Sequence, residues 1–171
     1  LEIEVLSPLR RLLRQHQWGH VYRDGVKLAV VGRPNVGKSS LVNRLLENDR
    51  VIVTPIPGTT RDLIEETLDI HGIPVMMTDT AGLHKSEDPV EVIGIEKTRA
   101  CILESDMVFF LIDAGDRLTD ADHEIFHLLE GKRAILVINK MDLLAPGSRV
   151  QVPEGWDISR VMTSALYDEG I

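Results

Sequence analysis

The run Gly32-Arg33-Pro34-Asn35-Val36-Gly37-Lys38-Ser39 constrains this chain more than any other feature. It follows an apolar stretch, Lys27-Leu28-Ala29-Val30-Val31, that reads as a buried strand. It precedes Ser39-Ser40-Leu41-Val42-Asn43-Arg44-Leu45-Leu46, whose apolar residues recur at helical spacing. Strand, glycine-bounded loop and helix N-terminus together make an anion cradle, because backbone N–H groups converge there and the helix dipole adds partial positive charge. Lys38 has the reach for β- and γ-phosphates, and the Ser39 hydroxyl suits a site on Mg²⁺. A glycine turn can match part of this pattern by chance, but not at so many fixed positions in this context. The expectation is a domain that binds a nucleoside triphosphate.

The rest of the chain alternates strand and helix. Leu63 to Ile70 and Ile73 to Thr78 flank the turn signal His71-Gly72 and read as a β-hairpin. Met107 to Ile112 and Ala134 to Ile138 are further apolar runs, with a helical pattern at Ile125, Phe126, Leu128 and Leu129 between them. This alternation predicts an α/β fold, a mostly parallel, doubly wound sheet with helices on both faces. Ser7-Pro8 marks a helix start before the first strand, so residues 1–26 read as a lead-in and 27–171 as the nucleotide-binding domain. Ala145 to Trp156, with two prolines and two glycines, reads as a surface loop.

A length of 171 residues fits one domain with a sizeable core. The net charge of −8 argues against broad nonspecific binding to nucleic acid; the cluster Arg10, Arg11 and Arg14 reads first as a solvated helix face. The single cysteine, Cys101, excludes an internal disulfide framework and a cysteine-cluster metal site. No stretch approaches the roughly 20 apolar residues that span a bilayer, and no signal peptide is recognisable. No membrane partner is expected, and a cytoplasmic location is the simplest expectation. The first residue is Leu, which suggests a fragment, and a final helix expected in such a domain is missing after Gly170-Ile171.

The phosphate loop alone does not separate GTP from ATP. Asn139-Lys140-Met141-Asp142 follows the strand ending at Ile138, at the carboxyl edge where open parallel sheets bind ligands. A carboxylate at Asp142 accepts from both N1–H and the 2-amino group of guanine, whereas adenine offers neither donor. Asn139 would tie this loop to the phosphate loop, and the Lys140 stem would cover the base. An Asn-Lys-x-Asp tetrapeptide by itself is a polar turn as readily as a base reader; its placement makes the difference. Ser164-Ala165-Leu166 fits a loop closing over the base with a backbone N–H toward O6. Asp79-Thr80-Ala81-Gly82 ends another apolar strand, where a carboxylate behind Mg²⁺ and a glycine amide for the γ-phosphate belong. Gly58-Thr59-Thr60-Arg61-Asp62 is a first switch candidate, with Thr60 as Mg²⁺ ligand and Thr59 as competing choice.

Ordered along the chain, these elements resemble the G1 to G5 motifs of P-loop GTPase domains. Gly32 to Ser40, Pro57-Gly58-Thr59-Thr60-Arg61-Asp62 and Asp79-Thr80-Ala81-Gly82-Leu83 are similar to the TrmE-Era-EngA-like family of bacterial GTPases. Val90-Glu91-Val92-Ile93-Gly94-Ile95-Glu96-Lys97 and Arg23-Asp24-Gly25-Val26-Lys27 resemble its tRNA-modification branch, the MnmE (TrmE) family. Leu83 stands where Ras-like enzymes carry a water-positioning Gln. The resemblance implies that K⁺ takes over the charge-neutralising work of an arginine finger, held by Asn35 and by Thr54, Ile56 and Thr59 of the loop Thr54-Pro55-Ile56-Pro57-Gly58-Thr59. It implies that Glu91 orients the attacking water, through a second water, while Lys38 neutralises charge at the β- and γ-phosphates. Taken by themselves, Asn35 is a loop-stabilising amide and Glu91 one exposed acid among several. It further implies GTP/GDP as ligands, pairing with a second G domain, and an MnmG-type partner and tRNA reached through parts outside this chain. Arg33 invites comparison with an arginine finger, but Arg-Pro-Asn is common in such loops and no such role is assigned. A ribosome-assembly GTPase domain of the tandem type and a nucleotide-gated scaffold with little catalysis remain alternatives.

Overall fold

The computed structural model describes residues 21, 25–48, 66–78, 95–145, 147, 148 and 150–171. Its elements, in chain order, are β1 (Val26–Gly32), α1 (Lys38–Asn48), β2 (Glu66–Ile70), β3 (Ile73–Thr78), α2 (Ile95–Glu104), β4 (Met107–Asp113), α3 (Asp120–Leu128), β5 (Ala134–Asn139), a single 3₁₀ turn (Met141–Leu143) and β6 (Ser159–Met162). They form a six-stranded sheet in the order β2-β3-β1-β4-β5-β6. Every pairing is parallel except β2 with β3, the expected hairpin. His71 and Gly72 both carry positive φ (53° and 83°), the geometry that matches a two-residue turn to strand twist. The lead-in helix and the start of the hairpin's first strand, Leu63 to Glu65, lie outside the described residues.

Residues of alternating parity on the central strands feed two cores, one on each face of the sheet. Leu28, Val30, Leu111 and Val137 pack with Leu41 and Val42 of α1 and with Leu68, Val75 and Met77 of the hairpin. Ala29, Val31, Phe110, Ile112, Leu136 and Ile138 pack with Ile102 of α2 and Ile125 of α3. Helices therefore cover both faces, as the alternation of strand and helix predicts. The half-buried Cys101 packs against the second core.

One expectation needs correcting. The stretch Ala145 to Trp156, read as a surface loop, delivers Trp156 into the core at 5% exposure. Its indole stacks on Phe126 at 4.5 Å and lies 5.4 Å from Phe110. Val150 and Val152 pack against the same cluster. Pro and Gly mark the backbone as irregular, but the apolar side chains among them still close a face that α2 and α3 leave open. Strand β6 went unrecognised in the sequence because all four of its residues are exposed and carry no alternation.

The five parallel strands share one carboxyl edge, and three of the segments that leave it bear on the site. The phosphate loop follows β1, the Asn139–Asp142 loop follows β5, and the Thr163–Leu166 segment follows β6. The candidate site is the seam where these loops meet.

Candidate nucleotide-binding site

The phosphate loop turns through left-handed backbone at Asn35 (φ 65°) and Gly37 (φ 98°). Asn is among the few side chains that adopt this conformation readily. Gly37 is required for a further reason: a Cβ there would collide with the Asn139 side-chain amide. Lys38 opens α1 and folds back over the loop, its Nζ donating to the carbonyls of Gly32 (3.0 Å) and Arg33 (2.8 Å). Its ammonium thus stands at the loop's mouth. Ser39, exposed in the first turn of α1, offers a hard oxygen of the kind Mg²⁺ prefers. Asn35 is likewise exposed, its amide carried on the loop's tip.

Arg33 does not face the cradle. Its Nε donates to Asp122 Oδ1 at 2.9 Å, and Asp122 is fully buried at the start of α3. The same carboxylate accepts from the Thr119 amide (2.8 Å) and hydroxyl (3.0 Å). Arg33 is a strut between the phosphate loop and α3, consistent with assigning it no finger role.

Asn139, 1% exposed, joins three loops through one amide. Its Nδ2 donates to the Val36 carbonyl at 3.0 Å, and its Oδ1 accepts from the Thr163 hydroxyl and the Ala165 amide, each at 3.2 Å. Of the segment Ser164-Ala165-Leu166, expected to turn a backbone N–H toward a base carbonyl, the Ala165 N–H is here engaged by Asn139. The Ser164 hydroxyl, fully buried, donates to Asp142 Oδ1 and fixes that carboxylate. Arg44 of α1 donates to the Ala165 carbonyl at 3.3 Å and ties the last loop to the helix. A pocket of about 420 Å³ opens between these groups, lined by Gly37, Ser40, Asn139, Lys140, Asp142 and Leu166 among others. That is ample for a nucleoside-sized ligand.

The structure therefore brings together Asn35, Val36, Gly37, Lys38, Ser39, Ser40, Asn139, Lys140, Met141, Asp142, Ser164, Ala165 and Leu166. Thr54 to Thr60, Asp79 to Gly82 and Glu91 lie outside the described residues. Sequence reasoning missed Asp113, Asp122, Thr163 and Arg44. Asp113 left a signal: it ends the apolar run of β4 just as Asn139 ends that of β5, and the two are paired in register. Thr163 and Arg44 left none, since a threonine after a strand and an arginine on a helix are unremarkable.

A phosphate loop on a parallel sheet, with a buried Asn and a fixed Asp one loop away, defines a GTPase domain, a hydrolase acting on GTP. The chain belongs to a recognised family of this class: the model described as 50S ribosome-binding GTPase matches residues 27–140. Among curated relatives, the tRNA modification GTPase MnmE of Koribacter versatilis is 48% identical over 169 residues, 98% of this chain and 36% of the relative. That of Lactobacillus johnsonii is 44% identical over 168 residues, again 98% of this chain and 36% of the relative. The chain spans about a third of the length of these relatives. Among solved structures, an Era variant of Aquifex aeolicus bound to GDP and AlF4− superposes with a TM-score of 0.60 at 31% identity, covering 84% of this chain and 52% of that one. The G domain of the T. maritima FeoB iron transporter gives 0.57 at 26% identity, covering 85% and 91%. No described helix is long and apolar enough to cross a membrane.

Proposed function

We propose that residues 27–171 are the GTP-hydrolysing domain of a cytoplasmic tRNA-modification GTPase, activated by K⁺ and by pairing with a second G domain. The relatives named above support the tRNA assignment, with an MnmG-type partner and tRNA engaged by other parts of the full-length protein. The observation that carries the guanine reading is the Asp142 carboxylate, held by the buried Ser164 hydroxyl at the wall of a pocket that also reaches Gly37. Lys38 neutralises charge at the β- and γ-phosphates and the loop amides bind their oxygens. Ser39 and Thr60 would hold Mg²⁺, which when bound would supply Lewis-acid neutralisation of the phosphate charge. Asp79 would stand behind that ion, Gly82 would bind the γ-phosphate, and Glu91 would orient water.

The cation argument rests on charge. Arg33, the arginine of the phosphate loop, is committed to Asp122, so the loop supplies no second positive group beyond Lys38. Asn35 presents an exposed amide oxygen at the tip, where a monovalent cation held with Thr54, Ile56 and Thr59 would take that place. GTP turnover in KCl against NaCl, over a range of protein concentrations, tests this. Stimulation by K⁺ that grows with protein concentration is expected; equal rates in both salts overturn the cation role, and a rate per domain that does not change with concentration overturns the pairing role. The family description favours a second reading, a ribosome-associated switch. Nucleotide-dependent co-sedimentation of the full-length protein with ribosomal particles would select it.

A further inference from the structure

Asp113 closes β4 beside Asn139, its partner across the parallel ladder. Both of its carboxylate oxygens are engaged. Oδ1 accepts the Gly115 amide at 2.8 Å, a local turn that fixes the side chain's direction. Oδ2 pairs with Lys140 Nζ at 2.7 Å. The Asp113 side chain is 8% exposed and that of Lys140 32%, so the pair is not on open surface, and Lys140 also lines the pocket. Lys140 itself leaves the sheet in left-handed backbone (φ 62°), and a Cβ on Gly37 would lie 3.9 Å from its Cε. Its methylene stem therefore runs along the seam between the phosphate loop and the base pocket, and its charged end is anchored on the far side.

From this arrangement we infer that Asp113 is a positioning residue for nucleotide binding: it pins the Lys140 ammonium so that the stem forms one wall of the nucleoside pocket. The inference rests on the reading of that pocket as the base site. A lysine carries substantial rotamer entropy, which a free side chain would lose each time it closed on a ligand. Anchoring it beforehand removes that loss and slows release of the ligand. Asp113 reaches no nucleotide itself; its effect passes through Lys140.

The test is the dissociation rate of a fluorescent GDP analogue, measured by displacement with excess GDP, in a double-mutant cycle of Asp113→Asn and Lys140→Met. Asn keeps the bond to the Gly115 amide but loses the charge, and Met keeps the stem but loses the ammonium. Asp113→Asn is expected to speed dissociation about tenfold, and in the Lys140→Met background to change it less than twofold. Asp113→Glu should recover part of the slow release. Asp113→Ser, which retains an oxygen near the Gly115 amide, gives a second reading of the same corner of the cycle. In steady-state hydrolysis the effect should fall on KM and not on kcat. Equal acceleration by Asp113→Asn in both backgrounds would mean that Asp113 acts on the fold alone and overturns the inference, as would no acceleration at all. A silent Lys140→Met, which keeps the stem and loses only its anchor, would overturn it too, whereas unchanged dissociation from Asp142→Asn would instead remove the base-site reading on which it stands.

Discussion

At the base end of the cradle, Asn139 is 1% exposed, both its Nδ2 and Oδ1 are hydrogen-bonded, and the Asp142 carboxylate is held by a buried hydroxyl. At the phosphate end, Asn35 and Ser39 are exposed and the Lys38 ammonium rests on loop carbonyls. The difference follows from what each end does. Discrimination among bases needs donors and acceptors fixed before the ligand arrives, because a misplaced buried polar group costs about 1–3 kcal/mol. The phosphates bring their own charge and, on the present proposal, their own cations, so the loop needs only to offer ligands. On that proposal, recognition is built into the folded chain and catalysis is completed when ligands assemble.

The sharpest way to break this comparison is at Glu91. If chemistry is completed at the phosphate end by a group that contributes nothing to binding, Glu91→Ala should lower single-turnover hydrolysis at saturating K⁺ by about 10²–10⁴-fold, with nucleotide affinity nearly unchanged. A loss under about threefold would make it an ordinary surface acid. Next in size is Asn139→Ala. It strands the Val36 carbonyl, the Thr163 hydroxyl and the Ala165 amide, so a loss on the order of 3 kcal/mol in urea unfolding is expected, with weakened GDP binding. A fully stable variant would show that the base end is not held together by this amide. Asp142→Asn should cost about tenfold or more in GTP affinity and gain for xanthosine triphosphate, whose 2-oxo group accepts from the new amide. Unchanged GTP titration would remove the base-reading role. The smallest effect is predicted for Asn35→Ala on GDP: less than about threefold in affinity, because Lys38 and the loop amides remain. The same variant should lose the K⁺ response of turnover. Retention of that response would place the cation elsewhere.

How far the sequence could be read depended on the kind of pattern. The phosphate loop, its flanking strand and helix, and the hairpin turn at His71-Gly72 were legible because each rests on local spacing. So was the Asn139–Asp142 tetrapeptide, given its place after an apolar run. Trp156 was not, because Pro and Gly spacing reports backbone irregularity and says nothing of where a side chain in that loop will end up. Strand β6 was invisible for a related reason: at the sheet's edge all four residues are exposed, and period-two alternation has nothing to record. Asp122 also closes a local capping box with Thr119, but its bond to Arg33, like that of Thr163 to Asn139, spans a long sequence separation. Tertiary partners of that sort leave no trace in a single chain. The assignments of Asn35, Thr54, Ile56, Thr59 and Glu91 came from family resemblance, and spacing alone would not have produced them.

Trp156 has a consequence for anyone handling this protein at the bench. It is one of two tryptophans, it is 5% exposed, and its neighbours are the rings of Phe110, His123 and Phe126. An indole so enclosed emits at shorter wavelength than one in water, and the shift on exposure is large. Its packing partners belong to the face covered by α2 and α3, whereas the nucleoside pocket borders α1. The domain thus carries an intrinsic optical gauge of its folding, sited on the opposite face of the sheet from the helix that follows the phosphate loop.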